Sequence, residues 1–105
     1  MAAEKDLYGG YARPAMRTGG FTSAQTAATG TNWTAYASQE CNQLTIKNDT
    51  GTGIVVRQDG AGVEWPIADG ASDTFFGLEN ASQIAVKRAD SSNTQVTVKA
   101  RWEGI

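Results

Sequence analysis

The branched aliphatic residues are confined to one part of the chain, and this asymmetry constrains its folding more than any other feature. Residues 1–39 contain no Ile or Val, whereas residues 40–105 contain eleven. Gly, Ala, Ser and Thr fill 22 of the first 39 positions. Such a segment buries too little apolar surface to offset the entropy that it loses on ordering. The sequence therefore predicts an extended N-terminal arm over 1–39 and a folded domain over 40–105.

The predicted arm carries large apolar side chains that are spaced along it. These are Leu7, Tyr8, Tyr11, Met16 and Phe21. A Gly-Gly pair precedes an aromatic residue twice, at Tyr11 and at Phe21, ten residues apart. We interpret the five side chains as anchors that dock on a partner surface. A disordered terminus with incidental aromatic residues is the alternative.

The remainder of the chain shows the two-residue apolar alternation of β-strands. The predicted strands cover 44–47, 54–58, 63–67, 74–76, 84–88 and 96–102, with an additional early strand over 33–37. Turn sequences rich in Asp and Gly separate them about every ten residues, and no window has a sustained helical period. Pro66 lacks an N–H, which predicts that its strand lies at a sheet edge. These features predict an all-β fold, a small antiparallel β-sandwich or barrel.

The residue types that catalyse most enzyme reactions are absent from this sequence or lie where a structural role is expected. The chain has no His, so that no imidazole can activate a Ser or Cys41 as a nucleophile. Asp49, Asp59 and Asp69 stand beside or near Gly in turn sequences, where Asp serves local backbone hydrogen bonds. The Gly-rich stretches lack the Lys and the following helix of a phosphate-binding loop. We expect no catalytic residue, no metal site and no cofactor, and we keep a small enzyme only as a minor alternative.

Charge and composition limit the classes of partner that this chain is expected to bind. Nine Lys and Arg against eleven Asp and Glu give a net charge of −2, which is unsuited to general nucleic-acid binding. No apolar run approaches the roughly 18–20 residues that cross a membrane, and the first residues have no apolar signal-peptide core. Cys41 is the single cysteine and cannot form an internal disulfide. We expect a small soluble protein made in a reducing compartment.

A basic patch is predicted near the C-terminus. If the last two predicted strands pair, Lys87, Lys99 and Arg101 share their polar face, with Arg88 adjacent. Such a patch would suit an acidic partner, whereas a solvated sheet face is the alternative.

The three tryptophans permit a sugar-binding hypothesis, because an exposed indole can stack on a sugar ring. Trp102 lies on an apolar stripe and is expected in the core, and Trp33 lies between the arm and the domain. Trp65, beside Pro66 on the predicted edge strand, is the best candidate for an exposed aromatic side chain.

A folded part of about 66 residues has a thin core, which oligomerisation commonly supplements. The runs 41–48, 54–57, 77–84 and 86–90 resemble small structural proteins of tailed bacteriophage virions, in particular the capsid decoration or cement class. The likeness is one of layout across the chain, a Gly-, Ala- and Thr-rich stretch followed by a compact β domain that ends near Trp-Glu. No signature motif carries it.

The resemblance implies a non-enzymatic protein that stabilises the outside of a capsid. It implies a homotrimer, made in the host cytoplasm and located in the virion, whose arms spread over the major capsid protein, with no nucleic acid and no membrane as partner. A carbohydrate- or receptor-binding virion module is the alternative, as is a tail or head–tail adaptor component.

Overall fold

The computed structural model describes residues 17–104, and within them it forms a sandwich of two four-stranded antiparallel sheets. The strands are β1 (Thr18–Gln25), β2 (Thr34–Ala35), β3 (Gln43–Lys47), β4 (Ile54–Gln58), β5 (Ala61–Ile67), β6 (Ser72–Phe76), β7 (Ile84–Arg88) and β8 (Thr97–Gly104). Sheet A has the order β1-β8-β3-β6 and sheet B the order β2-β7-β4-β5. The predicted all-β sandwich is confirmed.

The turns follow from local sequence chemistry. Asp59 and Gly60, which join β4 to β5, have φ of 59° and 67°. Positive φ at both central residues is the geometry of the tightest hairpin turns, and Asp-Gly adopts it readily. A single 3₁₀ turn at Ala81–Gln83 precedes β7, and the Asn80 side chain caps it. β5, which contains Pro66, lies at the edge of sheet B, as the missing N–H predicts.

The core lies between the two sheets and is made by every second residue of the central strands. Leu44 and Ile46 of β3 face Ile54 and Val56 of β4 across the sandwich, and all four are fully buried. β7 and β8 contribute in the same way; their buried residues are Ile84, Val86, Val98 and Ala100. The alternation that predicted these strands therefore also identifies their core-facing sides.

The domain boundary predicted at residue 39 is wrong for residues 18–39. β1 pairs with β8 along its whole length, from Thr18 opposite Gly104 to Gln25 opposite Thr97. Tyr36, which follows β2, is 2% exposed, and its hydroxyl donates to the Val98 carbonyl at 3.1 Å. These residues belong to the sandwich and to its core.

Packing against Trp102 explains why β1 lacks branched residues without being an extended arm. Gly20 lies opposite Trp102 in the register, and a Cβ on Gly20 would lie 2.9 Å from the indole ring. The indole covers the surface that a β1 side chain would otherwise cover. Backbone pairing with β8 supplies the remaining order, because each ladder bond is independent of side-chain type.

Of the predicted arm anchors, Leu7, Tyr8, Tyr11 and Met16 lie outside the described residues. Phe21 lies in β1, opposite Arg101 of β8. The Phe21 side chain therefore belongs to a paired strand of sheet A and not to an unpaired arm.

The basic patch predicted from Lys87, Arg88, Lys99 and Arg101 does not form. β7 pairs with β2 and β4 in sheet B, whereas β8 pairs with β1 and β3 in sheet A. Lys87 and Arg88 are therefore in a different sheet from Lys99 and Arg101. Consecutive strands in this sandwich can cross from one sheet to the other, and alternation alone does not distinguish the two connections.

Candidate functional site

Four large apolar side chains are exposed on the sandwich, and three of them lie together. Val63 is 86%, Trp65 53% and Phe76 66% exposed, and all three lie where β5 of sheet B approaches β6 of sheet A. They surround a shallow pocket of about 350 Å³ that Phe75 and Asp73 also line. We call the surface made by Val63, Trp65, Asp73, Phe75 and Phe76 the apolar edge. Clustered exposed apolar side chains mark interaction sites more often than single ones do.

Strand register explains why the apolar edge is open. Trp65 lies opposite Val56 and Ile67 opposite Ile54, so that Trp65 and Ile67 are on the core-facing side of β5. Ile67 is buried, whereas exposure rises along the same side of the strand through Trp65 to Val63. Val63 and Trp65 therefore continue the core-facing side of β5 to the surface, whereas Phe76, opposite Gln43 and next to the core-facing Phe75, lies on the outer side of β6.

A carboxylate fixes the indole of Trp65. Its Nε1–H donates to Asp73 Oδ2 at 2.6 Å, and Asp73 Oδ1 accepts from the backbone N–H of Thr74 at 2.8 Å. The side chain is held with part of its ring exposed, so that little rotamer entropy remains to be lost on binding. Rigid, pocket-flanking aromatic side chains of this kind dominate protein-binding surfaces.

The fourth exposed apolar side chain, Phe21, belongs to a second surface. It is 84% exposed on the outer face of sheet A, opposite Arg101, which in turn lies opposite Thr45. The adjoining row pairs Lys99 with Lys47. We call the outer surface made by Arg17, Phe21, Lys47, Lys99 and Arg101 the cationic face.

Two of the four cations on this face are neutralised. Arg17 pairs with Glu103 at 3.0 Å, and Lys99 pairs with Asp49 at 3.1 Å. The hydrogen bond from the Lys99 ammonium holds the pKa of the Asp49 carboxyl below its usual value. Lys47 and Arg101 have no carboxylate within ion-pair distance in the part of the chain that the structure describes. Counting described residues, the cationic face therefore has four cations and two paired acids.

Lys87, from the predicted patch, packs elsewhere. Its ammonium lies 5.5 Å from the centre of the Trp33 ring, over which the Arg57 guanidinium also lies at 4.5 Å. Arg88 pairs with Asp90 at 2.9 Å. These cation–π and ion-pair contacts give Lys87 and Arg88 local structural partners on sheet B.

The acidic and cysteine side chains of residues 17–104 do not gather into a metal-ligand cluster. No cluster of three or more Cys, Asp or Glu side chains there has the spacing to hold a metal ion. Cys41 is buried, and desolvation raises the pKa of its thiol, which disfavours the nucleophilic thiolate. Across the same residues, no helix has the length and apolar character that crossing a bilayer requires.

Sequence reasoning singled out Trp65 and Phe21 but missed Val63, Phe76 and Lys47. A signal for Phe76 was present, because consecutive residues of a strand point to opposite faces and Phe75 and Phe76 cannot both enter the core. No local signal identifies Lys47, since its place depends on β3 pairing with β8.

The comparisons with known proteins leave the family open. No protein-family model matches the chain, and no curated protein matches it. Similar solved structures include one described as Bacillus endospore appendages, a family of disulfide-linked pili. That match has a TM-score of 0.44 and 13% identity and covers 86% of this chain and 88% of the other. At this level the similarity supports no inference about family or function.

Proposed function

We propose that the protein is a non-enzymatic structural protein of a phage virion that decorates and stabilises the outside of the capsid. In this proposal the sandwich associates with further copies of itself as a homotrimer, and the N-terminal residues attach it to the major capsid protein. The observation that carries the proposal is the apolar edge, because three large apolar side chains exposed at one margin of a small domain favour association with another protein surface.

Attachment to the shell is assigned to residues 1–16. Their apolar side chains, Leu7, Tyr8, Tyr11 and Met16, are spaced so that each would occupy a separate position on a surface. A trimer presents three such segments, and linked weak contacts raise the overall affinity without any new kind of contact. A protein that binds the expanded shell and not its alternatives stabilises that shell by mass action.

Co-sedimentation with empty expanded shells of the phage that encodes the chain tests the attachment. The full chain should sediment with the shells, and a chain that lacks residues 2–16 should not. The Tyr8→Ser, Tyr11→Ser variant should bind at least about tenfold more weakly, since aromatic anchors dominate such contacts. The Lys5→Ala, Arg13→Ala variant, changed in the same segment but not at an anchor, is the matched control.

Equal binding by the full and shortened chains would show that the sandwich, and not residues 1–16, contacts the shell. No binding of the full chain to its own shells would refute the decoration role. Binding to tails or to the head–tail connector instead would favour an adaptor component.

A second candidate, a carbohydrate- or receptor-binding virion module, is supported by the geometry at Trp65. A half-exposed indole held by Asp73 beside an open pocket is suited to stack on a sugar ring. Titration of the host's surface glycans would then change Trp fluorescence, and Trp65→Ala would remove the change. An unchanged spectrum would exclude this candidate.

A further inference from the structure

The four exposed large apolar side chains lie on two surfaces of opposite charge. The segment 58–76, which supplies Val63, Trp65 and Phe76, contains no Lys or Arg. It contains four acids, Asp59, Glu64, Asp69 and Asp73, on β5, β6 and their flanking turns. Arg57, just before this segment, also lines the pocket, so the apolar edge and its flanking turns hold four acids against one cation.

The cationic face has the opposite character. Its four cations exceed the two acids that pair with them, Asp49 and Glu103. Phe21 stands beside Arg101 in the register and is the most exposed aromatic side chain of the described chain. The net charge of the whole chain is −2, so this positive surface is a local departure from the rest of the molecule.

We propose that the cationic face of one copy docks on the apolar edge of a second copy, head to tail. Phe21 of the first copy would pack against Trp65 and Phe76 of the second. Lys47 and Arg101, which form no ion pair with an acid of residues 17–104, would face the acids of segment 58–76. The inference deepens the self-association in the proposed function and rests on it.

Charge disfavours the symmetric ways of pairing the same surfaces. Two cationic faces would bring Lys47, Lys99 and Arg101 against their own copies. Two apolar edges would bring four acids against four acids. Juxtaposed like charges disfavour a contact strongly, whereas face-to-edge pairing brings opposite charges together and covers the four exposed large apolar side chains of residues 17–104.

A face-to-edge contact uses different surfaces on the two partners, so each bound copy still has one unused surface. Such contacts close into a ring when the rotation between copies permits, and otherwise extend as a filament. A trimeric ring is one closed solution.

Light scattering on the full chain, over a range of concentrations at low salt, tests the inference. The wild-type chain should associate, and added salt should weaken the association. The face variant, Lys47→Glu with Arg101→Glu, should raise Kd by about a hundredfold. The edge variant, Val63→Lys with Glu64→Lys, should do the same. The control variant, Glu79→Lys with Ser82→Lys, adds equivalent charge at two exposed positions in and before the 3₁₀ turn and should leave Kd unchanged.

A chain that carries all four face and edge changes separates head-to-tail from symmetric pairing. Its charges are again complementary, so its Kd should return to within about tenfold of wild type. If the interface were symmetric, the Kd of the combined variant would not return toward the wild-type value. Phe21→Ser provides a variant without a charge change; because the ring is 84% exposed, the fold should tolerate it while association weakens at least about tenfold.

A wild-type chain that stays monomeric up to about 1 mM would overturn the inference, because no specific interface is then present. So would face and edge variants that associate like wild type. Shell binding is measured separately, so a protein that binds shells through residues 1–16 but fails here would keep its decoration role and lose only this interface.

Discussion

Asn48 shows at the level of one residue how a polar side chain can hold this sandwich together. It is fully buried at the end of β3. Its Nδ2 donates to the carbonyls of Thr52 and Ile67, at 2.8 and 2.9 Å, and its Oδ1 accepts from the N–H and the hydroxyl of Thr50. All of its hydrogen-bonding capacity is used. The side chain thereby joins the β3–β4 turn to the end of β5.

Replacing Asn48 with Ala should therefore be costly. Two carbonyls would lose their donor and a cavity would remain, so we expect the free energy of unfolding to fall by about 3 kcal/mol. Asn42→Ala, at an exposed position directly before β3, should change it by less than about 0.5 kcal/mol. Urea denaturation followed by Trp fluorescence measures both values, and a loss below about 1 kcal/mol for Asn48→Ala would contradict the role.

Acid should weaken the fold through two exposed aspartates. Hydrogen bonds from Lys99 to Asp49 and from Arg88 to Asp90 lower the pKa of both carboxyls. A carboxyl whose pKa is lower in the folded state stabilises the fold above its unfolded pKa and loses that contribution as pH falls through the folded value. The urea midpoint should thus be steady near neutral pH and decline below about pH 4. The Asp49→Asn, Asp90→Asn variant should decline less; an identical decline would assign acid sensitivity to other groups.

At the level of the element, β1 is the strand that sequence reasoning missed. It has no apolar alternation, and only Ala24 of its residues is buried. Its place depends on pairing with β8 and on the close approach of Gly20 to Trp102. Small side chains are therefore a packing requirement here and not a sign of disorder.

Gly20→Val should test that requirement. The added side chain would overlap the Trp102 ring, and overpacking of this kind costs about 1–3 kcal/mol. Ser23→Val, at an exposed position on the same strand, is the control and should be neutral or slightly stabilising. Thermal melts compare the two. A Gly20→Val chain as stable as wild type would show that Trp102 can move away at no cost.

For the whole molecule, the question is where the folded domain begins. The core cluster is formed by residues from Ala24 to Ala100, and the first strand starts at Thr18. A chain without residues 2–16 should keep a cooperative melt near the wild-type temperature. A chain without residues 1–39 loses β1, β2 and the buried Tyr36, and should have no cooperative melt, because β8 would become an unprotected edge beside an incomplete core. Equal melts for both deletions would restore the boundary at residue 39.

Local chemistry was sufficient for much of the fold. Alternation with period two identified β3, β4 and β7 nearly to the residue, Asp-Gly identified the β4–β5 turn, and Pro66 identified an edge strand. Each of these signals depends on the backbone preferences of a few neighbouring residues or on which side of a strand meets the core. The local backbone preferences and the core-facing side of a strand are both determined by the local amino-acid sequence.

Tertiary structure alone decided the pairing of the strands, and with it the surfaces. β7 and β8 read as neighbours but lie in different sheets, β1 joins the sandwich without an apolar pattern, and Lys47 meets Lys99 only because β3 pairs with β8. Strand order is chosen by the total burial of two sheets and by the fit of side chains such as Trp102 against Gly20. The burial and side-chain fit that select the strand order come from contacts between residues far apart in the chain. A local sequence pattern therefore does not predict them.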